Sequence, residues 1–248
     1  MKKRGLEATP YTYTSLFQAC AESPFPSHSL SRVMNLRNEI NLRVAEKSLY
    51  LHTITYNCAI KAFGMCGAPD TAFEVYDEML QHKDCPPDVV TYSMLLMASA
   101  EDKEKGPTKA MLVLDEMKER KIKPDVYTYN LVLNVLRNKA VDSEKKMAHM
   151  SEEDFESAEE SVTVDNDIDC DGLFPGVELF IQQMLLNDAE PNIKTFQLLL
   201  PLCKSARDEE VILEMMKGLN VQADAMFLQK LLRRRGMEDL KQAKVSHY

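Results

Sequence analysis

The side chains able to do chemistry in this chain are few, and most stand in patterns that do none. Six cysteines (Cys20, Cys58, Cys66, Cys85, Cys170, Cys203) are scattered with no C-x-x-C pair, so no zinc or redox motif follows. Five histidines (His28, His52, His82, His149, His247) lack the H-x-E and C-x-x-C partners of a zinc deaminase. Neither a P-loop nor a G-x-G-x-x-G is present. The stretch "DIDCDGLFPGVE" matches a calcium-loop spacing through Asp167, Asp169, Asp171 and Glu178. Pro175 interrupts that loop and Glu178 is better used in a helix, so no metal or other cofactor is expected. With no catalytic cluster, the expectation is a protein that is not an enzyme. The run "KLLRRR", Lys230 to Arg235, could contact phosphates or be a solvated basic helix end.

What does recur is a hydrogen-bonding side chain at one place in a repeated phrase. "YTYT" ends at Thr14, "ITYN" at Asn57, "VTYS" at Ser93, "YTYN" at Asn130 and "KTFQ" at Gln197. An amide brings a donor and an acceptor, and a hydroxyl can serve as either. A second polar residue recurs behind proline: "VYDEMLQHKDCPPD" ends at Asp88, "VLDEMKERKIKPD" at Asp125 and "FIQQMLLNDAEPN" at Asn192. Taken singly, each of these is an ordinary capping residue. Repetition at matched positions is what points to a binding surface.

The elements that must position them are helices. The phrases end 43, 36, 37 and 67 residues apart, two of the spacings lying near 35. Each phrase opens an amphipathic helix, with Tyr92, Leu95, Leu96 and Ser99 on one stripe. A second helix follows, for example from Pro107 to Arg120, with Ala110, Val113, Leu114 and Met117 on one face. The "PPD" and "KPD" phrases end it, because proline cannot continue a helix. One hairpin cannot bury its own apolar face, but stacked hairpins can, so an all-α solenoid with a concave surface is expected. The first unit carries about eight extra residues around a longer second helix. Pro201 should kink the first helix of the fifth unit.

The boundaries expected are a repeat tail at 1–9 and repeats 1 to 3 with the first helix of repeat 4 at 10–137. A disordered acidic insertion follows at 138–171. The second helix of repeat 4, a degenerate repeat 5 and the start of a further repeat occupy 172–235, and a tail 236–248. From Lys139 to Asp171 there are twelve acidic residues against three basic ones, while the remainder is balanced at 27 of each. The net charge of −9 therefore belongs to one segment, and the repeats would not repel a nucleic acid. No apolar run reaches the ~20 residues that span a bilayer.

"DVVTYSMLL", "DVYTYNLVL" and "DEMKERKIKPD" closely resemble the pentatricopeptide repeat, whose consensus opens V-T-Y-N and closes E-M-K-x-x-G-I-K-P-D. The likeness is strongest from Thr53 to Asn138. It implies binding of single-stranded RNA in an organelle, one base per repeat. It also implies base-reading pairs Asn57 with Asp88, Ser93 with Asp125 and Asn130 with Asn192. Ile54, Val90, Tyr127 and Lys194 would pack on the bases. These pairs predict uracil, guanine and cytosine, read as 5′-U-G-C-3′. Thr14 with His52, and Gln197 with Ala223, depart from the pattern and predict no base. "YTSLFQACAESPF" resembles an animal mitochondrial member of the family. That implies a place in the mitochondrial matrix with mitochondrial tRNA or its precursors, their levels and 3′-end processing, and RNA-processing proteins as partners. A helical scaffold that binds proteins is the alternative from another class. The opening "MKKRGLEAT" aligns with "MKERKIKPD", so the chain is expected to begin in the tail of an earlier repeat, the presequence lying outside it.

Overall fold

The computed structural model describes residues 8–102, 104–149 and 174–245. Among them every regular element is helical: eleven α-helices and one 3-10 turn. The chain divides into two compact units, Met1–Lys139 and Ala140–Tyr248.

In the first unit three hairpins follow one another: α1 (Pro10–Ala21) with α2 (Pro26–Ala45), α3 (Thr53–Met65) with α4 (Pro69–Leu80), and α5 (Val89–Glu101) with α6 (Gly106–Glu119). α7 (Val126–His149) follows and runs on into the stretch expected as the acidic insertion; residues 150–173 lie outside the described ones. The first helices α1, α3 and α5 pack side by side, and each second helix packs on its own first helix. α2 is longer than α4 and α6, as the spacing predicts.

The repeated phrase explains the row. Its aromatic is buried every time (Tyr13, Tyr56, Tyr92, Tyr129), so each hairpin contributes one large apolar anchor to a shared core. Two glycines bring helices closer than a side chain allows. A Cβ on Gly64 would stand 2.7 Å from Ala98 Cα, and one on Gly106 would stand 2.3 Å from the Ser99 carbonyl oxygen. Bonds between hairpins link neighbours: Arg37 donates to Glu78 at 2.6 Å, Lys109 to Asp70 at 2.6 Å, and the Tyr76 hydroxyl to Glu116. Second helices end in left-handed residues, at Lys47 (φ 55°) and Lys121 (φ 58°), each followed by an N–H bonded to the carbonyl of the residue five back from it.

The second unit holds α8 (Val177–Leu186), α9 (Ile193–Leu199), α10 (Ala206–Gly218) and α11 (Ala225–Val245). Phe180, Ile181, Met184, Phe196, Ile212 and Phe227 form its core. α9 stops at Leu199 and passes into a 3-10 turn over Leu200–Leu202, because Pro201 cannot donate the next helical bond. Burial holds the Cys203 thiol up at about 12, as befits a core residue. Cys58, by contrast, is only half-buried. Glu209, 1% exposed, takes bonds from Arg234 at 2.9 Å and Arg235 at 3.3 Å, so two arginines of the "KLLRRR" run are spent on a buried carboxylate.

Candidate nucleic-acid interface

The recurring polar residues come together at the N-terminal turns of the first helices. The residue behind proline is the N-cap. Asp88 Oδ1 accepts the Thr91 N–H at 2.8 Å, and the Asp88 N–H returns a bond to Thr91 Oγ1 at 3.0 Å. Thr195 repeats the exchange with Asn192, its N–H bonded at 3.1 Å, and Thr128 gives its N–H to Asp125 Oδ1 at 2.7 Å. The threonine of the phrase is thus a buried capping partner, which the sequence reading left without a role. Its position three residues after a Ser, Thr, Asp or Asn was the available signal.

The third polar member arrives from the hairpin before. Asn57, 5% exposed, donates from Nδ2 to Asp88 Oδ1 at 3.2 Å, while Thr91 Oγ1 donates to Asn57 Oδ1 at 2.7 Å. The Thr91 oxygen also lies 2.9 Å from Asp88 Oδ1. A hydroxyl has one proton, and the carboxylate already draws two N–H groups, so Asn57 is the better recipient. The carboxylate decides the amide's orientation, since a flipped Asn57 would set oxygen against oxygen. One N–H of Asn57 then remains for an outside acceptor.

The other expected pairs differ. Ser93, 4% exposed, donates its proton to the Val89 carbonyl one turn back at 3.0 Å, which leaves it an acceptor. Asp125 spends its Oδ1 on the Thr128 N–H and hydroxyl. Asn130 is half-buried, with its Oδ1 buried and without a hydrogen-bond partner. Asn192 caps α9 from the second unit. In repeat 1 the Thr14 and Thr55 hydroxyls share a bond of 3.0 Å, and His52 caps α3 without a side-chain bond.

The residue before each threonine faces outward. Tyr11, Ile54, Val90 and Tyr127 are each more than half exposed, and Lys194 is exposed. An exposed apolar side chain within two residues of a buried tyrosine, in each first helix of the first unit, leaves apolar surface near each recurring polar residue. Such surface is what a flat ring stacks on.

In the fifth repeat the structure corrects the expected register. The residue facing Gln197 is Asp224, not Ala223: Gln197 Nε2 donates to Asp224 Oδ2 at 2.7 Å. Asp224 is the N-cap of α11, its Oδ1 accepting the Phe227 N–H at 2.7 Å. The rule that Asp caps helices and Ala does not could have found it.

Of the calcium-like set, Asp167, Asp169 and Asp171 lie outside the described residues. Glu178 sits exposed in the first turn of α8 and accepts from Gln182 at 3.3 Å. No described helix is long and apolar enough to cross a membrane.

Residues 51–101 and 103–138 match the profile of the PPR repeat family. The rat protein named "Pentatricopeptide repeat-containing protein 1, mitochondrial" is 34% identical over 138 residues, which is 56% of this chain and 19% of the rat protein. The human protein of that name is 33% identical over the same shares. The match thus spans about a fifth of these relatives' length. A pentatricopeptide repeat-containing protein of Arabidopsis thaliana is 34% identical over 93 residues, 37% of this chain and 16% of its own. The crystal structure of the pentatricopeptide repeat protein PPR10 from maize superposes with a TM-score of 0.58 at 23% identity, covering 96% of this chain and 29% of that one. That likeness bears on the fold.

Proposed function

Because the chain belongs to the pentatricopeptide repeat family through residues 51–101 and 103–138, we propose that it binds single-stranded RNA selectively and does no chemistry on it. The observation that carries this is the repeated set at the first-helix N-termini. Asn57 shows it whole, with a buried amide, the capping carboxylate of Asp88 from the next hairpin and an exposed Ile54 beside it, while Ser93 is buried and Asn130 half-buried at the matching places.

The hydrogen-bond inventory supports particular bases. Asn57 has an N–H left over, which suits the keto oxygen of uracil. Ser93 can only accept, which suits the N–H groups of guanine. With cytosine at Asn130 and Asn192, the reading is 5′-U-G-C-3′, with Ile54, Val90, Tyr127 and Lys194 packing on the rings.

The setting proposed is the mitochondrion, supported by the names of the rat and human relatives. Mitochondrial tRNA or its precursors are the RNA proposed, with RNA-processing proteins acting on the bound transcript. Cross-linking in cells followed by sequencing would check that choice, and enrichment of other transcripts would remove it.

Titration with a short RNA containing U-G-C and with its scrambled counterpart is the direct test. Tighter binding to the first is expected; equal, negligible binding to both at low salt would overturn the proposal. Ser93→Asn restores a donor and should move the preference at the second base from guanine toward a pyrimidine. A partner retained after nuclease treatment, with no RNA bound, would favour the protein-scaffold alternative.

A further inference from the structure

The first helices of the first unit carry almost no charge. α1 contains no charged residue, α5 only Glu101 at its last position, and α3 only Lys61. Each of these helices keeps one accessible stripe that starts at the side chain before the threonine. In α3 it runs through Ile54, Cys58, Lys61 and Met65, at steps of four, three and four residues, so these side chains follow one another along a single face. Lys61 therefore shares the Ile54 face and lies one turn past Asn57. Gln18 in α1, Met97 in α5 and Asn134 in α7 occupy the matching places, and none of them is charged.

Lys61 has no internal partner. Among the described residues it makes no ion pair and no side-chain hydrogen bond. Arg37 and Lys109, by contrast, are each shared between two carboxylates. Burial raises the Cys58 thiol and the Lys61 ammonium pulls against it, so the charge stays near the stripe. A cation alone among neutral side chains keeps its full attraction for an anion, because no neighbouring carboxylate competes for it. A strand whose base packs on Ile54 carries a phosphate within one nucleotide of that base. One helical turn is about 5.4 Å, a distance the lysine stem covers.

We propose that Lys61 holds a phosphate of the bound strand beside the base met by Asn57, fixing the strand along the stripe without reading its sequence. This rests on the RNA-binding reading above. The group recognised is a phosphodiester of single-stranded RNA.

The test is the salt dependence of affinity, followed by fluorescence anisotropy for the U-G-C RNA and its scrambled counterpart. The full chain is compared with Lys61→Gln, Lys61→Met and Lys83→Gln. Glutamine and methionine are what α1 and α5 carry at this place, so both suit the fold, and thermal melts check that it stands. Lys83 lies exposed in the turn after α4, and its loss changes the net charge equally. One phosphate contact on a single strand accounts for about 0.7 in the slope of log affinity against log salt. Both Lys61 variants should lose that much slope and bind roughly fivefold more weakly near about 0.1 M salt, the difference closing toward about 1 M. The ratio between the two RNAs should stay as it was, and Lys83→Gln should keep the slope. Unchanged slopes in the Lys61 variants, or an equal fall in Lys83→Gln, with RNA binding by the unaltered chain intact, would overturn this inference alone. A Lys61 effect confined to one of the two RNAs would move the contact to a base edge and overturn it as well. Negligible binding of either RNA by the unaltered chain at low salt would bring down the RNA-binding reading and this inference with it.

Discussion

At the scale of the residue, one carboxylate has two tasks. Asp88 caps α5 and orients the Asn57 amide with the same oxygen. The two tasks separate in Asp88→Asn, because asparagine caps about as well as aspartate but lacks the charge that forbids the flipped amide. Stability should change by less than about 0.5 kcal/mol in a urea titration, within the range of a neutral cap exchange. Discrimination at the first base should fall severalfold in an RNA titration. A variant that keeps full discrimination would show that Thr91 alone orients Asn57.

At the scale of the element, helix ends and the links between hairpins set what can be changed. Lys121 ends α6 in the left-handed region, where the family consensus quoted above has glycine. Lys121→Gly relieves the Cβ contact while the Ile122 N–H to Met117 carbonyl bond, at 2.8 Å, remains. A gain of about 0.5–1 kcal/mol is expected, read as a higher midpoint in urea.

A second link is titratable. Burial by itself opposes ionisation of Asp102, but the Lys109 ammonium at 2.6 Å and the Lys105 and Glu104 amides hold its carboxyl below the ordinary value. The folded chain then binds fewer protons than the unfolded one in that window. The stabilisation is present above the ordinary carboxylate value near ~4 and is lost as pH falls through the depressed one. Melting temperature should drop more steeply with acid in the unaltered chain than in Asp102→Asn, with a residual slope from Asp208, whose carboxyl is also held low after burial is offset by the Lys204 and Ser205 amides. Parallel acid limbs would remove Lys109–Asp102 from the account.

At the scale of the whole molecule, the charge is lopsided. Residues 150–173 carry ten acidic side chains and no basic one, while the chain's net charge is −9. Deleting them removes a long-range repulsion from a phosphate chain without touching a reader. RNA affinity should rise severalfold at low salt. The gain should vanish near 1 M, where the Debye length falls to about 3 Å. A gain that survives high salt would point to direct blocking instead. For the intact chain the salt slope itself should be shallow, since a net charge of −9 leaves no excess of basic over acidic side chains to displace counterions.

Much of this molecule was legible from the chain alone. The buried aromatic and the threonine beside it recur because a hairpin needs one apolar anchor and one cap at the same helical turn. Periodicity therefore found the helices and the recurring polar positions together. Pro201 placed the break after α9, but α4, α6 and α8 stop at Leu80, Glu119 and Leu186, a full turn ahead of Pro86, Pro124 and Pro191, so proline did not set those ends. The tertiary structure alone decided which polar atoms meet. The bond from Thr91 to Asn57 joins residues 34 apart, and only the stacking of α3 on α5 brings them within 2.7 Å. The same holds for Gln197, whose partner is Asp224 rather than Ala223 because α11 begins one residue later than the repeat phrase implied. Local rules specify what each residue can offer, whereas the packing of one hairpin against the next determines which groups remain for a base.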